Sequence, residues 1–193
     1  MTRTFSLLFA CLAVSTVSGA DWPQYRCDAG RGAATSETLA EELHLLWTRE
    51  FPKPQPVFPS DNRLCYDLSY EPVVMERTMC VPTMVEDCIT ALDTATGEVQ
   101  WRFCAEGPIR FAPVAWREKV YFVSDDGYLY CVAAANGSLL WKFRGLPKGR
   151  KDRKLMGDGR LISAFPARGG PVLADGVVPT VVPWFERTTL ESC

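Results

Sequence analysis

Histidine is almost missing from this chain: His44 is the only one. No C-x-x-C pair and no C-x-x-C-H occurs, which removes the zinc-ribbon and c-type haem attachment signals. Gly-x-Ser-x-Gly, a phosphate-binding loop and a paired-histidine metal motif are also absent. No long segment has a helical period, and beyond the N-terminus no apolar run is long enough to span a bilayer as a helix. Charge of one sign is lacking as well. Without the first 20 residues the chain carries 20 basic and 23 acidic side chains, net −3. That balance gives no global nucleic-acid signature, and no specific nucleic-acid partner is expected.

The first 20 residues read as an export signal. Arg3 precedes an apolar run over residues 5–17, and Ser18-Gly19-Ala20 offers small residues to a signal peptidase. Cleavage after Ala20 predicts a mature start at Asp21 and a location in the periplasm or outside the cell. Seven cysteines then remain: Cys27, Cys65, Cys80, Cys88, Cys104, Cys131 and Cys193. An odd count leaves at least one unpaired. Most fall in predicted strands, where the expectation is a small buried hydrophobe; a Cys80–Cys88 disulfide is the lesser alternative.

What the chain has is a repeat of about forty residues. YEPVVMERTMCVPTMVEDCITALDTATGEVQWRF begins at Tyr70, and FAPVAWREKVYFVSDDGYLYCVAAANGSLLWKF begins at Phe111. Pro72 recurs as Pro113, Ile89 as Leu129, Gly97 as Gly137, Trp101 as Trp141 and Phe103 as Phe143. The offset is 41 at the start and 40 from Ile89 onward, which places a one-residue difference within the first hairpin. A period near forty with strand-like content points to β-propeller blades. The expected strands are about 72–76, 78–83, 88–93 and 98–103 in one blade. In the next they are about 112–116, 119–124, 128–132 and 138–143. Asp125-Asp126-Gly127 is a hairpin turn, and Thr96-Gly97 and Asn136-Gly137 turn into the outer strands.

The fold class is therefore all-β, a partial propeller of four-stranded antiparallel blades. After the signal (1–20) comes an extended arm (21–42), then an incomplete propeller (43–178), then an aberrant tail (179–193). The blades lie at about 70–103 and 111–143, and a third opens near 170. Residues 43–51 look like the last strand of a blade, with Trp47 in the place of Trp101. Residues 52–62 carry four prolines and read as a loop. Residues 144–160 read as a polar loop with seven basic and two acidic side chains. Pro179 and Pro183 stand where ladder donors are needed, which suggests a reading-frame error or a chimeric end. Closed propellers have about 4–8 blades, so the chain reads as a fragment.

Ala91-x-Asp93-x-x-x-Gly97-x-x-x-Trp101 resembles the blade motif of pyrroloquinoline-quinone-type propellers. A second copy keeps Gly137 and Trp141 but has Cys131 for the alanine and Ala133 for the aspartate. The resemblance covers roughly residues 40–178. It implies that the tryptophan docks on the neighbouring blade and that the glycine permits the turn. The family includes quinoprotein dehydrogenases, which use a bound quinone and calcium, and non-catalytic members of outer-membrane assembly. The adjacent Cys-Cys pair that clamps the quinone is absent, and no carboxylate cluster has ligand-like spacing. No catalytic residue, metal ligand or cofactor is evident. The expected role is a non-catalytic scaffold or binding module, whose partners are proteins or missing blades. The alternative is a fragment of a quinoprotein oxidoreductase binding pyrroloquinoline quinone and calcium.

Among single residues, Asp93 reads as a turn or capping residue, Glu86-Asp87 and Asp125-Asp126 as solvated hairpin tips, and His44 as a satisfied structural histidine. Pro108-x-Arg110-x-x-Pro113 recurs as Pro166-x-Arg168-x-x-Pro171, each before an innermost strand. Guanidinium groups bind carboxylate and phosphate bidentately. Arg110 and Arg168, with Trp116 or Arg117 nearby, are thus candidate anion ligands at one mouth of the channel; pairing with local carboxylates is the competing expectation. The basic loop over residues 148–154 reads as a solvated surface, with polyanion binding as a further alternative.

Overall fold

Short strands closed by turn residues build two blades of near-identical plan, the middle strands buried on both faces and the outer ones largely exposed. In this computed structural model residues 20–59, 67–146, 151–157, 159–167, 169–176 and 178 are described. The export signal before Ala20, the tail after 178 and Arg168 therefore lie outside the described residues.

The first blade is β1 (Val73–Met75), β2 (Thr78–Thr83), β3 (Cys88–Asp93) and β4 (Val99–Cys104). The second is β5 (Val114–Trp116), β6 (Lys119–Val123), β7 (Tyr128–Ala133) and β8 (Leu139–Arg144). Each is an antiparallel four-stranded sheet in sequence order. No helix occurs among the described residues. Both blades carry a bulge at the same place, between Ala91 and Leu92 and between Cys131 and Val132. Gly97 donates to Asp93 at 2.8 Å and Gly137 to Ala133 at 2.9 Å, closing equivalent turns. The one-residue difference falls in the turn between the second and third strands. Six residues separate Pro82 from its partner Ile89, whereas five separate Val123 from Leu129.

The blades bury their faces on each other. Trp101 and Phe103 point the same way from β4, as strand residues two apart must. The Trp101 indole donates to Ala134 O at 2.6 Å, and Phe103 meets Phe122 and Tyr130 edge-on at 5.8 and 5.6 Å. Together with Val73, Ile89, Val120 and Val132 they form the largest buried cluster.

Trp47 repeats this docking. Its indole donates to Thr94 O at 2.9 Å, and a Cβ on Gly97 would lie 2.6 Å from its Cδ2. Yet residues 43–51 form no ladder; they present the docking tryptophan of an outer strand without the sheet. Leu39, Leu43, Leu45 and Leu46 lie exposed just before it.

Two further features differ from expectation, besides the missing strand at 43–51. The basic stretch is not simply a loop: β9 (Lys154–Gly157) and β10 (Arg160–Ser163) form an antiparallel hairpin within it. Arg160 ties this hairpin to the first blade through Met84 O at 2.8 Å and the Asp87 carboxylate. The disulfide joins Cys88 to Cys104 rather than to Cys80. Cys88 and Cys104 sit opposite each other in the β3–β4 ladder, while Cys80 faces Ala91 in the apolar interior and is free.

Candidate functional site

Two sets of connections share one end of the blades. These are the turns between second and third strands, and the segments leading into each innermost strand. On that end charged side chains are buried. Arg110 enters β5 from this side and is 6% exposed. Its Nε donates to Asp125 Oδ2 at 2.8 Å, and its Nη1 donates to Asp67 Oδ2 at 2.6 Å and Gln55 O at 2.9 Å. Asp67 in turn accepts the Val57 amide at 3.0 Å. One guanidinium thus pins the proline-rich connection to the turn of the second blade.

Asp125 and Asp126 are therefore not solvated. They are 1% and 2% exposed; Arg110, held by Asp67 and Gln55, covers the turn from one side, and Ser163 and Ala167 bond to its backbone from the other. Asp126 Oδ2 accepts the Tyr130 hydroxyl at 2.5 Å and the Glu106 amide at 3.1 Å. Burial first, and then the carboxylate beside it, pushes the Tyr130 hydroxyl well above the ordinary phenol range. Arg144 bridges Asp126 O at 3.2 Å and Asp152 at 2.6 Å.

Of the two candidate arginines, Arg110 already holds two internal carboxylates, and Arg168 lies outside the described residues. Trp116 and Arg117 sit at the far end of β5, with the guanidinium 4.4 Å above the indole ring. Asp93 is a turn residue: its Oδ1 accepts the Ala95 and Thr96 amides at 2.8 and 3.1 Å, and Arg77 approaches Oδ2 at 2.9 Å. These bonds, led by that from Ala95, hold its carboxyl below the usual range. His44 is an exposed side chain 3.8 Å from Glu42. In the basic stretch, Lys154 reaches Glu106 at 3.3 Å.

Sequence reasoning missed how the N-terminal arm is used. Trp22 exchanges both backbone hydrogen bonds with Val74 at 2.9 Å, Pro23 O accepts the Ala115 amide at 2.8 Å, and the Gln24 side chain bonds Leu173 N at 2.8 Å and O at 3.3 Å. Two of these three consecutive residues meet innermost strands, β1 and β5, and the third meets Leu173, which stands at the matching distance after its proline. Asp21 anchors the entry by accepting the Glu76 amide at 2.7 Å.

A family model described as outer membrane protein assembly factor BamB, built on the PQQ-like repeat, matches residues 38–174. The chain belongs to this family. The quinohemoprotein alcohol dehydrogenase of Comamonas testosteroni is 20% identical with a TM-score of 0.57, covering 83% of this chain and 23% of that one. A europium-containing methanol dehydrogenase is 14% identical with a TM-score of 0.53, covering 83% of this chain and 27% of that one. BamB from Moraxella catarrhalis is 13% identical with a TM-score of 0.37 over 54% of this chain and 43% of that one. The chain thus spans about a quarter of the two dehydrogenases. No curated protein matches it by sequence. The two longer overlaps show a propeller fold, and the fold alone.

A calcium–quinone centre needs about 6–8 oxygen ligands around the cation. Among the described residues no group of three or more His, Cys, Asp or Glu side chains is placed to hold a metal. Asp67 and Asp125 are the nearest candidates, but Arg110 lies between them at 2.6 and 2.8 Å. A divalent cation there would face a guanidinium that already offsets their charge. The described residues do not fit that group.

Proposed function

We propose that this chain is a non-catalytic binding or scaffold module that works outside the cytoplasm. The observation that carries this reading is the Arg110 cluster. Arg110, Asp67 and Asp125 are paired with each other and hold connections in place, which leaves them poorly arrayed toward a reacting molecule. Desolvated charges bound this way are committed, since removing one partner strands the other. The exposed leucines before Trp47 support a protein partner, because an unpaired extended segment with apolar side chains invites strand addition. Protein strands, from further blades or from a partner chain, are the expected occupants.

The test is reconstitution. The purified chain is titrated with pyrroloquinoline quinone and calcium, and followed by quinone absorbance and by dye reduction with alcohols and aldoses. The expected result is no saturable quinone binding and no turnover. Stoichiometric binding with turnover would make the protein an oxidoreductase instead.

A further inference from the structure

A cavity whose lining includes none of Arg110, Asp67 and Asp125 lies against the N-terminal arm. It has a volume of about 270 Å³ and is lined by Tyr25, Arg31, Glu71, Phe111, Ala112 and the backbone of residues 169–171. Its walls have a common origin. Glu71 and Ala112 each precede the proline that leads into an innermost strand, β1 or β5, and Gly170 holds the same place before Pro171 in the sequence. The cavity therefore sits beside the entrances to β1 and β5, and the arm supplies its remaining wall through Tyr25 and Arg31. Two of the three equivalent positions carry only a methyl group or a hydrogen, which leaves the space open on those sides.

The charges are arranged across that space. Glu71 is on the blade side and accepts the Ala112 amide. Arg31 is on the arm, its guanidinium 5.4 Å over the Tyr25 ring and its backbone fixed by Asp28 O at 3.0 Å. Burial pushes the pKa of the Glu71 carboxyl up, and this outweighs the lowering by the Ala112 amide and, through space, by Arg31. Among the described residues the two do not form an ion pair. A monoanion entering here meets Glu71, and a monocation meets Arg31. A zwitterion satisfies both and leaves its side chain for the rings of Tyr25 and Phe111. The volume lies just below the roughly 300–1,000 Å³ of drug-sized pockets, which suits a single small metabolite.

We propose that this cavity binds a free α-amino acid with an apolar side chain, its ammonium on Glu71 and its carboxylate on Arg31. The site goes beyond the scaffold reading and needs no redox chemistry.

Calorimetric titration of the full chain with L-phenylalanine tests it. L-phenylalanine amide, N-acetyl-L-phenylalanine and D-glucose serve as probes lacking one charge or both. L-phenylalanine should bind one to one, and each single-charge probe should bind at least about tenfold more weakly, as loss of a charge-assisted bond implies. Glu71→Gln and Arg31→Gln should each weaken L-phenylalanine by a similar factor while leaving the circular dichroism spectrum unchanged. The proposal is overturned if L-phenylalanine fails to bind, if the amide and N-acetyl forms bind equally well, or if glucose binds in its place. The probe series on the unmodified chain decides the matter even if a variant fails to fold.

Discussion

Replacing Gly137 by alanine tests the docking on which the fold rests. Gly137 has φ +70°, and an added Cβ would lie 2.8 Å from Trp101 Cδ2 and closer still to Cε3. Two costs follow. The left-handed backbone costs an alanine about 1–2 kcal/mol. The indole must also move, which threatens its hydrogen bond to Ala134 O and its burial, a side chain whose complete loss costs about 3–5 kcal/mol. A sum of about 3–5 kcal/mol is expected, allowing for partial relaxation. Gly159 isolates the first cost, because its φ is +74° and nothing lies within 4 Å of an added Cβ. Gly159→Ala should cost only about 1–2 kcal/mol. Urea unfolding followed by far-ultraviolet circular dichroism measures both. Equal losses in the two variants would mean that the indole is not seated on Gly137, and the inter-blade argument would fail.

Arg110→Ala should destabilise the chain by about 3–5 kcal/mol, because it leaves Asp67 and Asp125 buried without their cation. The same melt checks this, and a loss under about 1 kcal/mol would place the cluster in solvent. Reducing Cys88–Cys104, which closes a separation of 16 residues, should cost about 3 kcal/mol by the chain-entropy estimate; melts with and without dithiothreitol report it, and coincident curves would contradict the pairing. Burial raises the pKa of Glu71 in the folded chain above its unfolded value. The unfolded state therefore gives up its proton first, and stability falls as pH rises through the unfolded value. Glu71→Gln should remove that fall, so the variant gains on the wild type between pH 4 and pH 7; parallel profiles would refute it.

The repeat made the strands legible because turn residues set where strands end. Gly97 and Gly137 mark turns that need positive φ, and Trp101 and Trp141 stand a fixed distance beyond them. The expected strand bounds accordingly fall within two residues of those observed. Long-range contacts were not legible. Asp125 and Asp126 look like solvated turn residues until Arg110, Asp67 and residues 163–167 close over them, and nothing local announces that cover. The Cys88–Cys104 pairing depends on the β3–β4 register, which shifts at the Ala91 bulge and cannot be counted from spacing alone. The β9–β10 hairpin did leave a signal: Leu155-Met156 and Leu161-Ile162 flank Gly157-Asp158-Gly159. The strongly basic composition around it hid that pattern.

The arm explains how separate blades can share one site. An innermost strand has a free edge toward the channel, and unpaired edges need partners. Trp22 gives β1 both a donor and an acceptor, matching the two groups that Val74 offers. Pro23 has no amide hydrogen, yet its carbonyl suffices for the Ala115 amide. Gln24 uses its side chain instead of its backbone, and so spans the further distance to Leu173 with both a donor and an acceptor. The sequence Trp-Pro-Gln is thus fitted residue by residue to two strand edges and to the backbone of Leu173. Once those three residues are fixed, Tyr25 has little freedom left, and it stands against the cavity that Arg31 helps to close. Edge protection and ligand recognition therefore draw on the same short segment. A change at Gln24 should move Tyr25 and be felt in the cavity, even though Gln24 does not line it.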